Sequence, residues 1–244
     1  MIHLCTVSVL SLHDIAVGFD QPLVEGISFD LNQGELVALT GRNGCGKTTL
    51  LRTILGFHPA LKGSVLLDGR PVDELSVLQK AKRCSAVLTT RPSLGAIRVY
   101  ELVALGQQPY TGALGRLTPI GHEVVDQAMN TMGVTKLKDR MWDEISDGER
   151  QKVMIARALA QETPLIIMDE PLAFLDYPSK VEVLAFLQKI IRKEGKTILF
   201  SSHEIPLLSD RVDRVLGIDE KGKWFDERQD VAGVLERAFH AKAD

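Results

Sequence analysis

The amino-acid sequence predicts an α/β fold. A parallel sheet forms its core, an antiparallel β subdomain precedes that core, and an α-helical subdomain is inserted into it. Three observations support this prediction. Short apolar runs, typical of buried strands, alternate with stretches of helical periodicity in both the early and the late parts of the chain. The opening stretch instead alternates apolar and polar positions, as antiparallel strands do. Between about residues 89 and 161 the signals are mainly helical.

The first part of the chain predicts the antiparallel subdomain and the start of the core sheet. Residues 7–31 alternate apolar and polar side chains between turn-forming residues, which indicates antiparallel strands. Residues 35–40 are a continuous apolar strand, and a glycine-rich turn and a helix through Leu55 follow at once. Residues 64–68 predict another short strand.

The later elements predict the inserted helices and the rest of the core sheet. A strand at 85–88 leads into the helical block, and the alternation of strands and helices resumes after it. The predicted elements are helices at 99–106, 122–132 and 149–160, a strand at 165–168, a helix at 179–193, strands at 197–201 and 214–218, and a hairpin turn at 219–222. Since no repeat or linker divides the chain, we expect residues 1–244 to form a single domain with the insertion inside it.

Composition excludes several classes of protein. The chain has 244 residues, a net charge of −3 and a pI near 6.1, so it offers no broad basic surface and we expect no nucleic-acid partner. Cys5, Cys45 and Cys84 are scattered without a CxxC spacing, which argues against a disulfide framework or a zinc site. The N-terminal residues lack the basic start and long apolar core of a signal peptide, and no apolar run approaches membrane-spanning length. We therefore expect a soluble protein whose role at a membrane would need a partner.

Residues 41–48 satisfy the phosphate-loop pattern G-x-x-x-x-G-K-[ST], between a predicted strand and a predicted helix. Glycines let the backbone turn so that successive N–H groups face phosphate oxygens, and the helix N-terminus adds positive potential. Lys47 would reach the β- and γ-phosphates, and the Thr48 hydroxyl would bind Mg²⁺. An ordinary glycine-rich turn before a helix is the alternative. The candidate ATP-binding residues here are Gly41, Asn43, Gly44, Cys45, Gly46, Lys47, Thr48 and Thr49.

Two acids end the apolar strand at 165–168. Asp169, at the carboxyl end of a buried strand, would help to hold Mg²⁺, and Glu170 would face an attacking water. A strand running into an acidic turn is a common alternative. Together with the phosphate loop, the two acids predict a nucleotide site.

The segment at residues 145–151, ISDGERQ, has both a structural and a functional interpretation. Ser146 and Glu149 match a capping box for the helix through Ala160, and a helix cap without further function is the structural interpretation. The segment also resembles the signature sequence of the ABC ATPase family. That resemblance implies the P-loop NTPase (RecA-like) fold. It also implies that Ser146 and the Gly148 backbone contact the γ-phosphate of an ATP held by the opposite subunit.

Further matches follow the order of the family's motifs, and the resemblance covers about residues 12–224. It implies that Phe19 stacks on adenine, although a core Phe is the alternative. It implies that Asp176, in the segment 174–176, lies in the loop linking two sites across a dimer. It also implies that His203 contacts the γ-phosphate.

The chain departs from the family's pattern where a strand enters the helical insertion. The family normally has a Gln there, which touches Mg²⁺ or the attacking water and relays to the membrane partner. Here the strand at 85–88 is followed by threonines, and Thr90 occupies the apparent position. Gln107 and Gln108 lie beyond a helix and are poor substitutes.

The resemblance implies an ATP-hydrolysing subunit of an ABC transporter, with catalytic roles for Lys47, Glu170 and His203. It implies a homodimer sharing two MgATP sites, integral-membrane permease subunits, an indirect substrate-binding protein, and a peripheral position at the cytoplasmic face of the inner membrane. Residues 99–106, followed by residues 109–112, are similar to importers of iron-siderophore, haem and cobalamin, although an amphipathic helix and turn with an incidental likeness is the alternative. The alternatives are an exporter cassette and a soluble ABC-type ATPase acting on nucleic acid or ribosomes. A kinase or GTPase would leave the signature segment unexplained.

Overall fold

Two β-sheets organise the part of the chain that the computed structural model describes, which comprises residues 8–89, 95–112, 115–208, 211–219 and 223–228. The strands are β1 (Ser8–Gly18), β2 (Pro22–Asn32), β3 (Leu36–Gly41), β4 (Lys62–Leu67), β5 (Arg70–Pro71), β6 (Cys84–Val87), β7 (Leu165–Met168), β8 (Thr197–Ser201), β9 (Arg214–Ile218) and β10 (Trp224–Glu227). One sheet is antiparallel, with the order β2-β1-β4-β5. The other has the order β10-β9-β3-β8-β7-β6. It is parallel except for β10.

Helices connect the strands and cover the second sheet. They are α1 (Lys47–Ile54), α2 (Val77–Ala81), α3 (Val99–Ala104), α4 (Pro119–Thr131), α5 (Asp147–Ala160), α6 (Tyr177–Glu194) and α7 (Ile205–Leu208). Short 3₁₀ turns lie at Val72–Glu74, Leu105–Tyr110, Thr135–Leu137 and Trp142–Glu144. Among the described residues, none of these helices combines the length and the apolar character needed to cross a bilayer.

The six-stranded sheet separates two apolar clusters, one on each face. On β3, Leu36 and Ala38 belong to the cluster formed with helices α3 to α6. Val37 and Leu39 belong to the other cluster, formed with α1 and the N-terminal sheet. A central strand buried on both faces is mostly apolar, which explains the apolar run in the sequence.

The helices of the predicted insertion, α3, α4 and α5, follow β6 and precede β7 in the sequence, and they pack against one another. Gln107 is buried here, and its side-chain amide donates a hydrogen bond to the carbonyl of Ala160 at the end of α5. Gln107 therefore has a packing role. A Cβ on the neighbouring Gly106 would lie 2.2 Å from the carbonyl oxygen of Arg157, so only glycine fits this close approach of the two chain segments. The limits of the insertion as a domain, about residues 89–161, stay a prediction.

The predicted α/β class and its antiparallel N-terminal sheet are confirmed. The strands predicted at 165–168, 197–201 and 214–218 have those limits in the structure. Three short elements, β5, α2 and α7, were absent from the prediction. The predicted helix at 149–160 begins two residues earlier, at Asp147, because Ser146 caps it.

Candidate nucleotide site

The loop between β3 and α1 has the backbone that a phosphate-binding turn needs. Gly44 and Gly46 have φ values of 81° and 108°, which lie in the region that favours glycine. Helix α1 follows at Lys47, no side chain of the described residues caps it, and its first turn contains no acid. The first N–H groups of the helix and their positive potential are therefore directed at the loop, where an anion would be stabilised.

Lys47 lies folded against the same loop. Its ammonium group donates hydrogen bonds to the carbonyls of Gly41 at 2.8 Å and Arg42 at 3.0 Å, and the residue is only 7% exposed. These bonds hold a positive charge at the wall of the site and tie the start of the loop to the start of α1.

The Asp169 carboxylate contacts hydroxyl groups from helix α1 and from strand β8. Thr48 Oγ1 lies 3.0 Å from Asp169 Oδ2 and 3.2 Å from Oδ1, and Ser201 Oγ donates to Oδ1 at 2.8 Å. Asp169 is 4% exposed. No cluster of three or more His, Cys, Asp or Glu ligands occurs among the described residues. One carboxylate beside one hydroxyl, next to a phosphate site, is the oxygen set that Mg²⁺ uses when phosphates complete its coordination.

Glu170 has an unusual backbone and contacts the predicted histidine. Its φ is 52°, in the left-handed region that costs a non-glycine residue about 1 kcal/mol. Its Oε2 lies 2.9 Å from Nδ1 of His203. The other ring nitrogen, Nε2, is 3.8 Å from Oε1 of Glu204, which forms an ion pair with Lys180. Glu170 and His203 are therefore brought together from the ends of β7 and β8.

A cavity of about 630 Å³ lies beside the phosphate loop and the two acids. Nine residues predicted to bind ATP or Mg²⁺, or to catalyse hydrolysis, line it: Phe19, Asn43, Gly44, Gly46, Lys47, Thr48, Thr49, Asp169 and Glu170. Leu23, Arg52, Leu88 and Thr89 complete the lining and were not predicted. Gly41 and Cys45 belong to the loop but do not line the cavity. A Cβ on Gly41 would be 2.7 Å from the Cys45 sulfur, and Cys45 packs on the core.

Phe19 is positioned for contact with a ligand. It lies between β1 and β2, is 67% exposed, and borders the cavity, so the alternative of a core Phe is excluded. The ring of His58 lies 5.1 Å from the Phe19 ring, centroid to centroid, and its Nε2 is 2.6 Å from the carbonyl oxygen of Gly18. His58 therefore limits the positions that the Phe19 ring can take.

His203 does not line the cavity, and three further predicted residues lie outside it, at the starts of α5 and α6. Ser146 caps α5 in a reciprocal box with Glu149, and the bonds from its backbone N–H and its hydroxyl lower the pKa of Glu149. Asp176 caps α6, and hydrogen bonds from Ser179 lower its pKa. A Cβ on Gly148 would lie 3.7 Å from the Ser179 hydroxyl, so the two helix starts are neighbours. Thr90 lies outside the described residues.

Comparison with known proteins identifies the family. The family model described as "ABC transporter" matches residues 24–173, more than half of the chain. An uncharacterised ABC transporter ATP-binding protein of Methanocaldococcus jannaschii is 38% identical over 81% of this chain and 69% of its own length. The iron(3+)-hydroxamate import ATP-binding protein of Bacillus subtilis is 32% identical over 80% of this chain and 73% of its own.

A solved structure extends the likeness to three dimensions. It is an inward-facing conformation of a metal-chelate type ABC transporter, and its matched chain is 25% identical with a TM-score of 0.82. The match covers 96% of this chain and 89% of that one. This chain therefore belongs to the ABC transporter family, as an ATP-binding subunit that hydrolyses ATP.

Proposed function

We propose that this chain energises the import of a metal chelate, of the iron-siderophore, haem or cobalamin type, through a separate membrane permease. It does so as a homodimer with two MgATP molecules between its subunits. One observation supports the proposal of a dimer. The cavity gathers Lys47, Asp169 and Glu170, while the predicted γ-phosphate ligands Ser146 and Gly148 lie outside it in the same chain. Two copies related by a twofold axis would complete each other's sites, because such an interface repeats every contact twice.

The chemistry follows from the residues around the cavity. Lys47 and the amides of α1 bind the phosphates and stabilise the negative charge that develops as the γ-phosphoryl group is transferred. Thr48 and Asp169 would hold Mg²⁺, which supplies charge neutralisation at the phosphates when bound. Glu170 orients a water and accepts its proton, and His203 holds the Glu170 carboxylate through its Nδ1 contact at 2.9 Å.

The importer assignment rests on the named relatives. The Bacillus subtilis relative is named for iron(3+)-hydroxamate import, and the solved structure is described as a metal-chelate type transporter. We place this chain at the cytoplasmic face of the inner membrane as a peripheral subunit, since a permease must supply the membrane-spanning part. A substrate-binding protein would then act on the far side of that permease.

An apolar groove offers a surface for the permease. It measures about 310 Å³ and lies between the end of α1, the start of α2 and the helical insertion. Phe57 and Val77 line it and are 67% and 85% exposed, and Arg157 and Gln161 of the insertion form its other wall. Large apolar side chains exposed beside polar ones are typical of protein-binding surfaces. Because both subdomains contribute, a partner held here would sense their relative movement.

Isolation of the chain from its native membranes tests the proposal. We expect a pull-down in mild detergent to recover a many-helix permease, identified by mass spectrometry. The Phe57→Asp and Val77→Asp variants are expected to lose most of that permease, because a buried carboxylate at an apolar contact costs several kcal/mol. The matched control is Ile120→Asp, which changes an equally exposed apolar residue on α4 outside the groove.

Each outcome of the pull-down has a clear meaning. A permease of the siderophore, haem or cobalamin type supports the importer and narrows its substrate. An exporter permease contradicts the import direction, and ribosomes or DNA-repair proteins without a permease contradict transport itself. Equal loss of the permease from Ile120→Asp contradicts the groove as the docking surface.

Replacing the exposed ring in the cavity tests nucleotide binding. We expect Phe19→Ala to weaken MgATP binding about tenfold, since stacking on a base is worth about 1–3 kcal/mol. Phe19→Tyr should retain most of the affinity. Phe57→Ala is the matched control, because it removes a ring that is also 67% exposed but lies outside the cavity. Titration calorimetry measures all three affinities, and an unchanged Kd for Phe19→Ala would contradict the stacking role.

A further inference from the structure

The peptide group between Asp169 and Glu170 is held at both of its polar atoms. The hydroxyl of Thr89 donates a hydrogen bond to the carbonyl oxygen of Asp169 at 3.0 Å. The N–H of Glu170 donates to the hydroxyl oxygen of Ser201 at 2.8 Å. We call this pair of hydroxyls, Thr89 and Ser201, the hydroxyl clamp. Neither residue belongs to the motifs that identified the site.

The clamp comes from the strands on either side of β7. The sheet order places β7 between β6 and β8. Thr89 follows two residues after the end of β6, and Ser201 is the last residue of β8. The peptide therefore cannot rotate about its Cα–Cα axis without breaking a hydrogen bond to one of its neighbours.

This restraint acts at the residue with the strained backbone. Glu170 has a φ of 52°, a conformation that a non-glycine residue keeps only when its surroundings hold it. The direction in which its side chain leaves the backbone depends on the orientation of the peptide before it. In the observed orientation the carboxylate reaches His203 at 2.9 Å. Ser201 also donates to Asp169 Oδ1 at 2.8 Å, so it orients both acids.

We propose that Thr89 and Ser201 are positioning residues for ATP hydrolysis, which act by holding the Asp169–Glu170 peptide so that Glu170 faces the attacking water. This inference rests on the proposed role of Glu170. Thr89 also lies in the lining of the cavity, two residues after the end of β6.

Substitution of Thr89 separates positioning from packing. We expect Thr89→Val, which keeps the shape and removes the donor, to lower kcat about tenfold or more, because small misplacement of a reacting group costs up to about a hundredfold. The KM for ATP should stay within about twofold. Thr89→Ser restores the hydroxyl and should recover most of kcat. Ser201→Ala should lower kcat by at least as much, since it loses contacts to both acids.

A matched control lies at the opposite end of β6 and β7, the two strands that lead to Thr89 and to Asp169. The Thr163 hydroxyl is 3.0 Å from that of Ser85 and donates to the Leu165 carbonyl at 2.8 Å, far along the strands from the acids. Thr163→Val therefore removes a comparable hydrogen bond between the same strands. We expect it to lower Tm without lowering kcat. Phosphate release and thermal unfolding are measured on the full chain with MgATP.

The outcomes distinguish this inference from the proposed role of Glu170. Unchanged kcat in Thr89→Val overturns the clamp, and so does a Thr89→Ser variant as slow as Thr89→Val, which would indicate packing. A fall of kcat in Thr163→Val equal to that in Thr89→Val also overturns it. Glu170→Gln serves as the reference. If that variant hydrolyses ATP at the wild-type rate, the role of Glu170 fails; if it is inactive while Thr89→Val is unaffected, the clamp alone fails.

Discussion

The Glu170→Gln variant is expected to lose at least about a hundredfold in kcat while it binds MgATP with unchanged affinity, because a positioned general base contributes about 10²–10⁴-fold. The amide has nearly the same shape as the carboxylate and cannot accept the proton of the attacking water. Lys47, Thr48 and Asp169 remain in place to bind the nucleotide. ATP should therefore persist between two subunits, and the variant should elute as a dimer in MgATP during size-exclusion chromatography.

A neighbouring acid provides the control for this result. Glu204→Gln makes the same chemical change 3.8 Å from the other nitrogen of His203, outside the cavity lining. We expect Glu204→Gln to retain turnover within about tenfold and to elute as the wild type does. Wild-type phosphate release by Glu170→Gln would remove Glu170 from its role as the base. A monomeric Glu170→Gln with bound ATP would contradict the shared sites.

The Lys47→Ala variant is expected to lose at least about a hundredfold in MgATP affinity, about 2.7 kcal/mol, since hydrogen bonds to a charged group contribute about 1.5–3 kcal/mol each. The carbonyls of Gly41 and Arg42 hold the ammonium group of Lys47 at the phosphate loop. Its loss removes both the charge and the bonds that shape the loop.

Stability must be separated from affinity in this experiment. Lys196 also donates its ammonium to a backbone carbonyl, that of Thr163 at 3.1 Å, at a site remote from the cavity. Lys196→Ala therefore controls for the loss of a lysine–carbonyl contact, and we expect it to lower Tm and leave the ATP affinity unchanged. Titration calorimetry and thermal unfolding on both variants make the comparison. Normal affinity in Lys47→Ala would contradict the phosphate-loop assignment.

Much of the fold was predictable because its signals are local. A strand buried on both faces carries a nearly continuous apolar run, which is why β7, β8 and β9 were found with their limits. Helix α2 was missed because it is only five residues long and exposes Val77 and Leu78, so it carries no amphipathic pattern. The start of α6 was predicted at Ser179 and lies at Tyr177, although the cap Asp176 and the proline at its first turn were available signals.

The residues of the site likewise fall into those that local sequence predicts and those that it does not. The phosphate loop, Asp169 and Glu170 were predictable because their chemistry lies in short segments of the chain. Thr89 and Ser201 were not, since their partners are contributed by a strand distant in sequence, and a hydroxyl at the end of a strand is common. The exposure of Phe19 depended equally on tertiary contacts, because an aromatic residue beside a turn is compatible with either the core or the surface.

The order of the strands has a consequence for how this site can evolve. Strand β8 separates β3, which carries the phosphate loop, from β7, which carries the acids. Neighbouring strands lie about 4.8 Å apart, so the two halves of the site stand about 9.6 Å apart at the level of the backbone. Side chains such as Thr48 and Asp169 extend into this gap from either side. Mutation can change the strength of a contact across it, but only a rearranged topology can change its width. Lineages are therefore free to vary the lining while the span that receives the phosphates is inherited unchanged.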